Sequence, residues 1–253
     1  RCGRTMPGPM TSSVKGLWDS AAGTEFPVTK LLWGLSIVVF AACVAVDHHL
    51  PFTDSFRPST VLRFGALLVP VLPLEPWRLL SAVFVHANVL HILFNSITLA
   101  DLGRLMEKEF GSARLAVLFV LAGIFGFWVS SVWNPQGFTL GASGGIFGLI
   151  GAIAVLALTR RDAYYRALFG RILVYAVLMV VVAAGIDHAA HAGGFVAGAC
   201  LAFGFEFERR RHWLDRPMVV LAALALLASV ASLVLSNGSM LWKERRAFEL
   251  LHE

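Results

Sequence analysis

Apolar residues occur along this chain in seven blocks, each near the length of about 20 residues that a helix needs to cross a hydrocarbon layer. The blocks are Leu31–Val46, a more polar stretch within Leu79–Leu102, Leu115–Trp133, Phe138–Leu158, Ile172–Ile186, Ala189–Phe205 and Met218–Leu235. Short polar connections separate them, so the pattern predicts seven membrane-spanning helices. The connection 47–80 is longer than the rest. Its own apolar stretch, Val61–Leu74, is interrupted by Pro70 and Pro73. It is too short and too kinked to span, which predicts an interfacial or re-entrant element.

Composition strengthens this reading. Of 253 residues, 57% are hydrophobic and only 15% charged, against about 25% charged in an average soluble domain. That excludes a soluble enzyme, a disordered chain and a disulfide-rich secreted domain, and leaves an all-α polytopic membrane protein. Cys2, Cys43 and Cys200 show no paired spacing, so they form neither a disulfide framework nor a thiolate metal site. The net charge of +5 reports orientation rather than nucleic-acid binding. Fifteen Lys and Arg residues fall in the N-terminal segment and in the 2–3, 4–5 and 6–7 connections, and six fall in the others. This asymmetry predicts a cytoplasmic N-terminus and an outer C-terminus. The first 28 residues hold no compact apolar leader. With the alanine-rich spans, this points to a prokaryotic cytoplasmic membrane.

Polar side chains inside spans are costly and mark candidate sites. The second span contains His86, His91 and Asn95 in HANVLHILFN. The fourth carries Ser143 in GASGGIFG, and the sixth Asp187, His188 and His191 in DHAAHAGGFVAG. Ser143 falls about five residues into its span and His191 two or three into its own, both counted from the same membrane side. At 1.5 Å per residue, both lie within about 8 Å of that boundary. His91 and Asn95, four apart, share one helix face at a similar level. Gly144, Gly148 and Gly151 form one small-residue stripe, and Gly194 and Gly198 another in line with His191. Stripes of this kind let membrane helices pack backbone to backbone, which brings Ser143 and His191 within reach of each other.

A serine hydroxyl becomes a nucleophile when a base, usually His, stands beside it, and the oxyanion it generates needs preorganised donors. Ser143 with His191 as base, and the Ser143 N–H, Asn95 and His91 as donors, reads as acyl transfer. Asp187, four residues before His191, fits a helix N-cap or a third catalytic member. Zinc is disfavoured, since no HExxH occurs and carboxylates are scarce at that level. Aspartyl proteolysis lacks a facing Asp pair. A transporter predicts inverted repeats and broken midplane helices, which the sequence does not display.

These signatures resemble the rhomboid intramembrane serine proteases. Besides GASG, AHAGG and HANVLHILFN, the match includes Trp77-Arg78 in the first outer loop and Gly103-xxx-Glu107-xxx-Gly111 after the second span. The resemblance implies a six-helix core over 31–207 with the outer loop 47–80. A segment 1–30 precedes it, and a seventh helix with an outer tail follows over 208–253. It implies a Ser143–His191 dyad, with His91 and Asn95 at the oxyanion. It also implies structural roles near the site for His86, at its mouth, and for Gly141, Gly144, Phe147 and Gly194, with Trp77 and Arg78 anchoring the loop at the interface. Transmembrane protein substrates and the lipid bilayer are the implied partners, admitted past the fifth span and the loop before the sixth. No cofactor, metal or nucleic acid is implied, and oligomeric state is left open. Some members carry Tyr where this chain has Phe147, which keeps the stacking on His191 but loses a hydroxyl. The alternative from another class is a catalytically silent relative that binds transmembrane helices. Such relatives usually lack the Ser or the His.

Overall fold

The computed structural model describes residues 25–160, 162–182, 186–208 and 213–250. It is an all-α bundle with one two-residue β-ribbon. The long helices are α1 (Pro27–Asp47), α4 (Val89–Phe110), α5 (Ser112–Trp133), α6 (Ser143–Thr159), α7 (Ala163–Val182), α8 (His188–Glu208) and α9 (Asp215–Gly238). The short ones are α2 (Pro58–Arg63), α3 (Arg78–Ser81) and α10 (Leu241–Leu250). Among the described residues, α1, α4, α5, α8 and α9 are long and apolar enough to cross a membrane, while α6 is an apolar helix of 17 residues.

The chain packs around α6. Its principal neighbours are α8, α5, α7 and α4, and α5 and α8 also pack directly on each other. The small-residue stripes determine this arrangement. A Cβ built on Gly194 would lie 2.1 Å from Gly144 O, and one on Gly198 would lie 2.0 Å from Gly148 O. No other residue permits that approach, so α6 and α8 meet backbone to backbone.

Three expected boundaries are corrected. The fourth span does not begin at Phe138. Phe138–Thr139 form β2, which pairs antiparallel with β1 (Leu67–Leu68) in the register Leu67–Thr139 and Leu68–Phe138, and the helix starts only at Ser143. The second span runs on to Phe110, because the charge in its last turns that faces the protein, Glu107, is buried with partners. Glu107 accepts hydrogen bonds from Val28 N (3.0 Å), Thr29 N (2.9 Å), Thr29 Oγ1 (2.6 Å) and Ser112 Oγ (2.6 Å). One carboxylate therefore ties the start of α1 to the start of α5, and Gly111 alone, at φ +84°, links α4 to α5. The fifth span begins at Ala163, nine residues before the expected Ile172, and is described to Val182. Its expected end reaches into residues 183–185, outside the described residues.

Much of the connection 47–80 packs inside the protein. Val61, Leu62, Ala66, Leu67 and Val69 are all buried, because α2, the turn at Gly65 and β1 fold into the protein at the end of the bundle that carries Ser143. That end is called the site end below. Arg78 is fully buried as well. Its Nη1 donates to Leu62 O and Ala66 O, both at 2.8 Å, and its Nε pairs with Glu75. It organises the loop from within, and half-buried Trp77 starts the helix beside it. The polar helix α10 was outside the apolar pattern and is new. At the far end, Arg160 pairs with Glu109 and Glu206, and Arg114 with Glu208 (2.6 Å) and Asp215 (2.7 Å). These ion pairs join α4, α5, α6, α8 and α9.

Candidate active site

Ser143 is the first residue of α6, delivered by the β-ribbon and a turn at Gly141. Gly141 N donates to Ala82 O at 2.8 Å, and Gly141 takes φ +124°, a conformation that side chains other than hydrogen adopt at a cost. Ala142 precedes the helix with no side-chain cap. The leading N–H groups of α6, that of Ser143 among them, therefore lack an intrahelical acceptor.

His191 lies in the first turn of α8. Asp187 caps this helix, accepting from Ala190 N at Oδ1 (2.9 Å) and from Ser130 Oγ at Oδ2 (2.5 Å). Both carboxylate oxygens thus serve the helix entry and α5. Nε2 of His191 stands 2.8 Å from Ser143 Oγ. Phe147, one turn after the serine, stacks on the imidazole with centroids 4.0 Å apart and planes 10° from parallel. Nδ1 of His191 is buried with no hydrogen-bond partner. A proton on Nδ1 leaves Nε2 free to accept from the serine.

His91 enters from α4. Asn88 caps that helix by accepting from His91 N at 2.8 Å, and Ala87 N donates to His91 Nδ1 at 3.4 Å. Because Nδ1 accepts, the ring proton belongs on Nε2. That nitrogen points to the gap at Gly141. A Cβ added there would lie 2.7 Å from His91 Nε2 and 3.9 Å from Ser143 Oγ, so one small space separates the two groups. Asn95 is buried, and its Nδ2 donates to His91 O at 2.8 Å. One of its amide hydrogens is thus held by its own helix, leaving the other.

His86 is 1% exposed, beneath the site rather than at its mouth. Its ring meets His91 edge-on at 5.0 Å, and its Nδ1 lies 3.3 Å from Phe84 O. Gly144 faces Gly123 on α5, and Gly194 faces Gly144, so both bring helices together behind the serine. Trp77 and Arg78 belong to the loop, where Arg78 bonds to Glu75 and to the carbonyls of Leu62 and Ala66. An open cleft of about 410 Å³ flanks the pair, lined by Phe147, His188, His191, Ala192, Phe195 and Val196. Among the described residues, no three His, Cys, Asp or Glu side chains gather to hold a metal.

Sequence reasoning missed three supports: the Asn88 cap, the Ser130–Asp187 bond and the Ala82–Gly141 bond. Asn88 was detectable, since Asn directly before an apolar helical run is an N-cap signal. The other two join residues 57 and 59 positions apart, which no local pattern reveals.

Comparison with known proteins gives this geometry its context. The family model described as "Rhomboid domain" matches residues 73–206, just over half of the chain. The chain belongs to the rhomboid family. Among similar proteins, RHOMBOID-like protein 1 of Arabidopsis thaliana is 38% identical over 152 residues, covering 58% of this chain and 39% of that protein. Rhomboid protease GluP of Bacillus subtilis (strain 168) is 32% identical over 178 residues, covering 68% and 35%. Rhomboid-like protease 3 of Toxoplasma gondii is 27% identical over 203 residues, covering 75% and 76%. The chain spans about a third to a half of the length of most of these relatives. They come from a plant, a bacterium and a parasite, and so do not assign this rhomboid to a prokaryote. It is a multi-pass integral membrane protein.

Proposed function

We propose that this rhomboid is an intramembrane serine endopeptidase that hydrolyses peptide bonds in or near transmembrane segments of other proteins. The observation that carries the reading is the 2.8 Å approach of His191 Nε2 to Ser143 Oγ under the stacked ring of Phe147. In the proposed cycle, Ser143 Oγ attacks the scissile carbonyl carbon while its proton passes to His191 Nε2. The developing oxyanion takes hydrogen bonds from the Ser143 N–H, His91 Nε2–H and the free amide hydrogen of Asn95. Collapse of the tetrahedral intermediate breaks the C–N bond, and His191 returns its proton to the leaving amine. Water then repeats the sequence on the acyl-enzyme, releasing the acid and restoring the serine.

His86, Gly141, Gly144, Phe147 and Gly194 support this centre, while Trp77 and Arg78 order the loop beside it. Substrate enters from the bilayer past α7 and the segment before α8. The packing supports such a path, for among the described residues α7 packs chiefly on α6. The charge asymmetry along the sequence supports a cytoplasmic N-terminus and an outer C-terminus.

The deciding experiment is covalent labelling of the detergent-purified full chain with a serine-directed fluorophosphonate, beside Ser143→Ala and His191→Ala. Wild type labels and both variants lose labelling while keeping the wild-type melting temperature. A folded wild type that neither labels nor cleaves a generic transmembrane substrate overturns the reading in favour of a silent helix-binding relative.

A further inference from the structure

The seventh helix does more at the site end than fill space beside α5. Ser229, Ser232, Ser236 and Ser239 are buried, while Leu227, Val230 and Val234 nearby are exposed. The serine face of α9 meets the loop that precedes the site. Ser236 Oγ lies 3.3 Å from Ser81 Oγ, and Ser81 in turn donates to Gly65 O at 2.8 Å. At Gly65, an added Cβ would fall 2.4 Å from Ser81 and 3.1 Å from Ser236. Beyond the helix end, Ser239 donates to Glu75 Oε1 at 2.5 Å and accepts from Leu241 N at 3.1 Å, so it starts α10 while holding the loop. The other oxygen of Glu75 pairs with Arg78.

Helix α10 then lies against α2. Glu249 accepts from Ser59 N at 3.1 Å and from Ser59 Oγ. Arg63 donates to Asn237 Oδ1 at 2.9 Å and stands 4.8 Å over the Trp242 ring. A helix as short as α2, with six residues, has little stability of its own, and these contacts hold it in place. The loop so held reaches the nucleophile by two routes. Leu67 and Leu68 pair with Thr139 and Phe138, four or five residues before Ser143. Ala82, directly after Ser81, accepts from Gly141 N. The chain of contacts therefore runs from α10 and Ser239, through Glu75 and Arg78, to the carbonyls of Leu62 and Ala66, then to β1, β2 and Ser143.

We infer that α9 and α10 form a brace that sets the position of the nucleophile loop, with Glu75 and Ser239 as positioning residues for Ser143. The inference rests on the peptidase reading above. It assigns the residues after the six-helix core a part in turnover, although none of them touches the reacting atoms.

The test uses the full chain in detergent, with Ser239→Ala, Ser239→Thr and Glu75→Gln beside wild type. The second-order rate of fluorophosphonate labelling and the kcat and KM on a transmembrane substrate are measured, together with the melting temperature. Displacing a reacting group by a fraction of an ångström slows chemistry steeply. Ser239→Ala and Glu75→Gln therefore label about tenfold more slowly, with kcat reduced and KM unchanged, and Ser239→Thr restores the rate because it keeps the hydroxyl. Variants that melt lower but label at the wild-type rate overturn the brace and leave the peptidase reading standing. An unlabelled, inactive wild type overturns both.

Discussion

Gly141 shows how much one hydrogen atom matters at this site. Its φ of +124° already disfavours any side chain, and a methyl group there would sit 2.7 Å from His91 Nε2. Gly141→Ala must therefore push His91 away from the serine or straighten the turn that delivers it. Either change lowers the labelling rate of Ser143 by about a hundredfold or more, while melting shifts by only a few degrees. Labelling rates of the two proteins, measured side by side, check this. At this scale the sequence was partly readable. Ser143 and His191 can be paired on paper from their similar depth and the glycines beside them, and they stand 2.8 Å apart. The bond from Asn95 to His91 O was not readable, because a rotamer chooses between a helix carbonyl and the open site.

Elements were legible in proportion to how strongly apolarity marks them. The long helices α1, α5, α8 and α9 fall where the apolar blocks lie. The start of α6 is hidden because Phe138 and Leu140 continue the apolar block, and only pairing with distant Leu67 and Leu68 turns Phe138–Thr139 into strand. A two-residue ribbon has no period to detect. Helix α10 is hidden for the opposite reason, since Lys243, Glu244, Arg245 and Arg246 place it outside any apolar pattern. The contact between α6 and α8 was visible in the spacing of Gly144, Gly148, Gly194 and Gly198. It yields a prediction at the same scale. Gly198→Leu sets a branched side chain where even a Cβ lies 2.0 Å from Gly148 O. Forcing these helices apart destabilises the bundle by about 3 kcal/mol, read as an earlier transition in thermal or SDS unfolding. A matching Gly204→Leu, at a position with open space around its Cα, leaves the transition in place.

Across the whole molecule, polar ties gather at the two ends and the middle is held by packing. Glu107 at the far end accepts from four donors drawn from α1 and α5. Glu107→Ala leaves Val28 N and Thr29 N unpaired in a buried place and costs about 2–4 kcal/mol. Glu107→Gln keeps one acceptor and loses less, an order that equilibrium unfolding of the three proteins resolves. The site end carries a different consequence. Gly144 lies beside Gly123, and Trp133, at the end of α5, is ten residues further on, about 15 Å away. The first turn of α6 thus opens below the tip of α5, with amide hydrogens that neither lipid nor the helix itself can satisfy. Leaving such groups dry costs several kcal/mol apiece, so the space beside Ser143 favours water or another hydrogen-bonding occupant. A purely hydrocarbon guest, however well it fits the walls, is therefore repelled at the floor, and any molecule that settles there must bring oxygen with it.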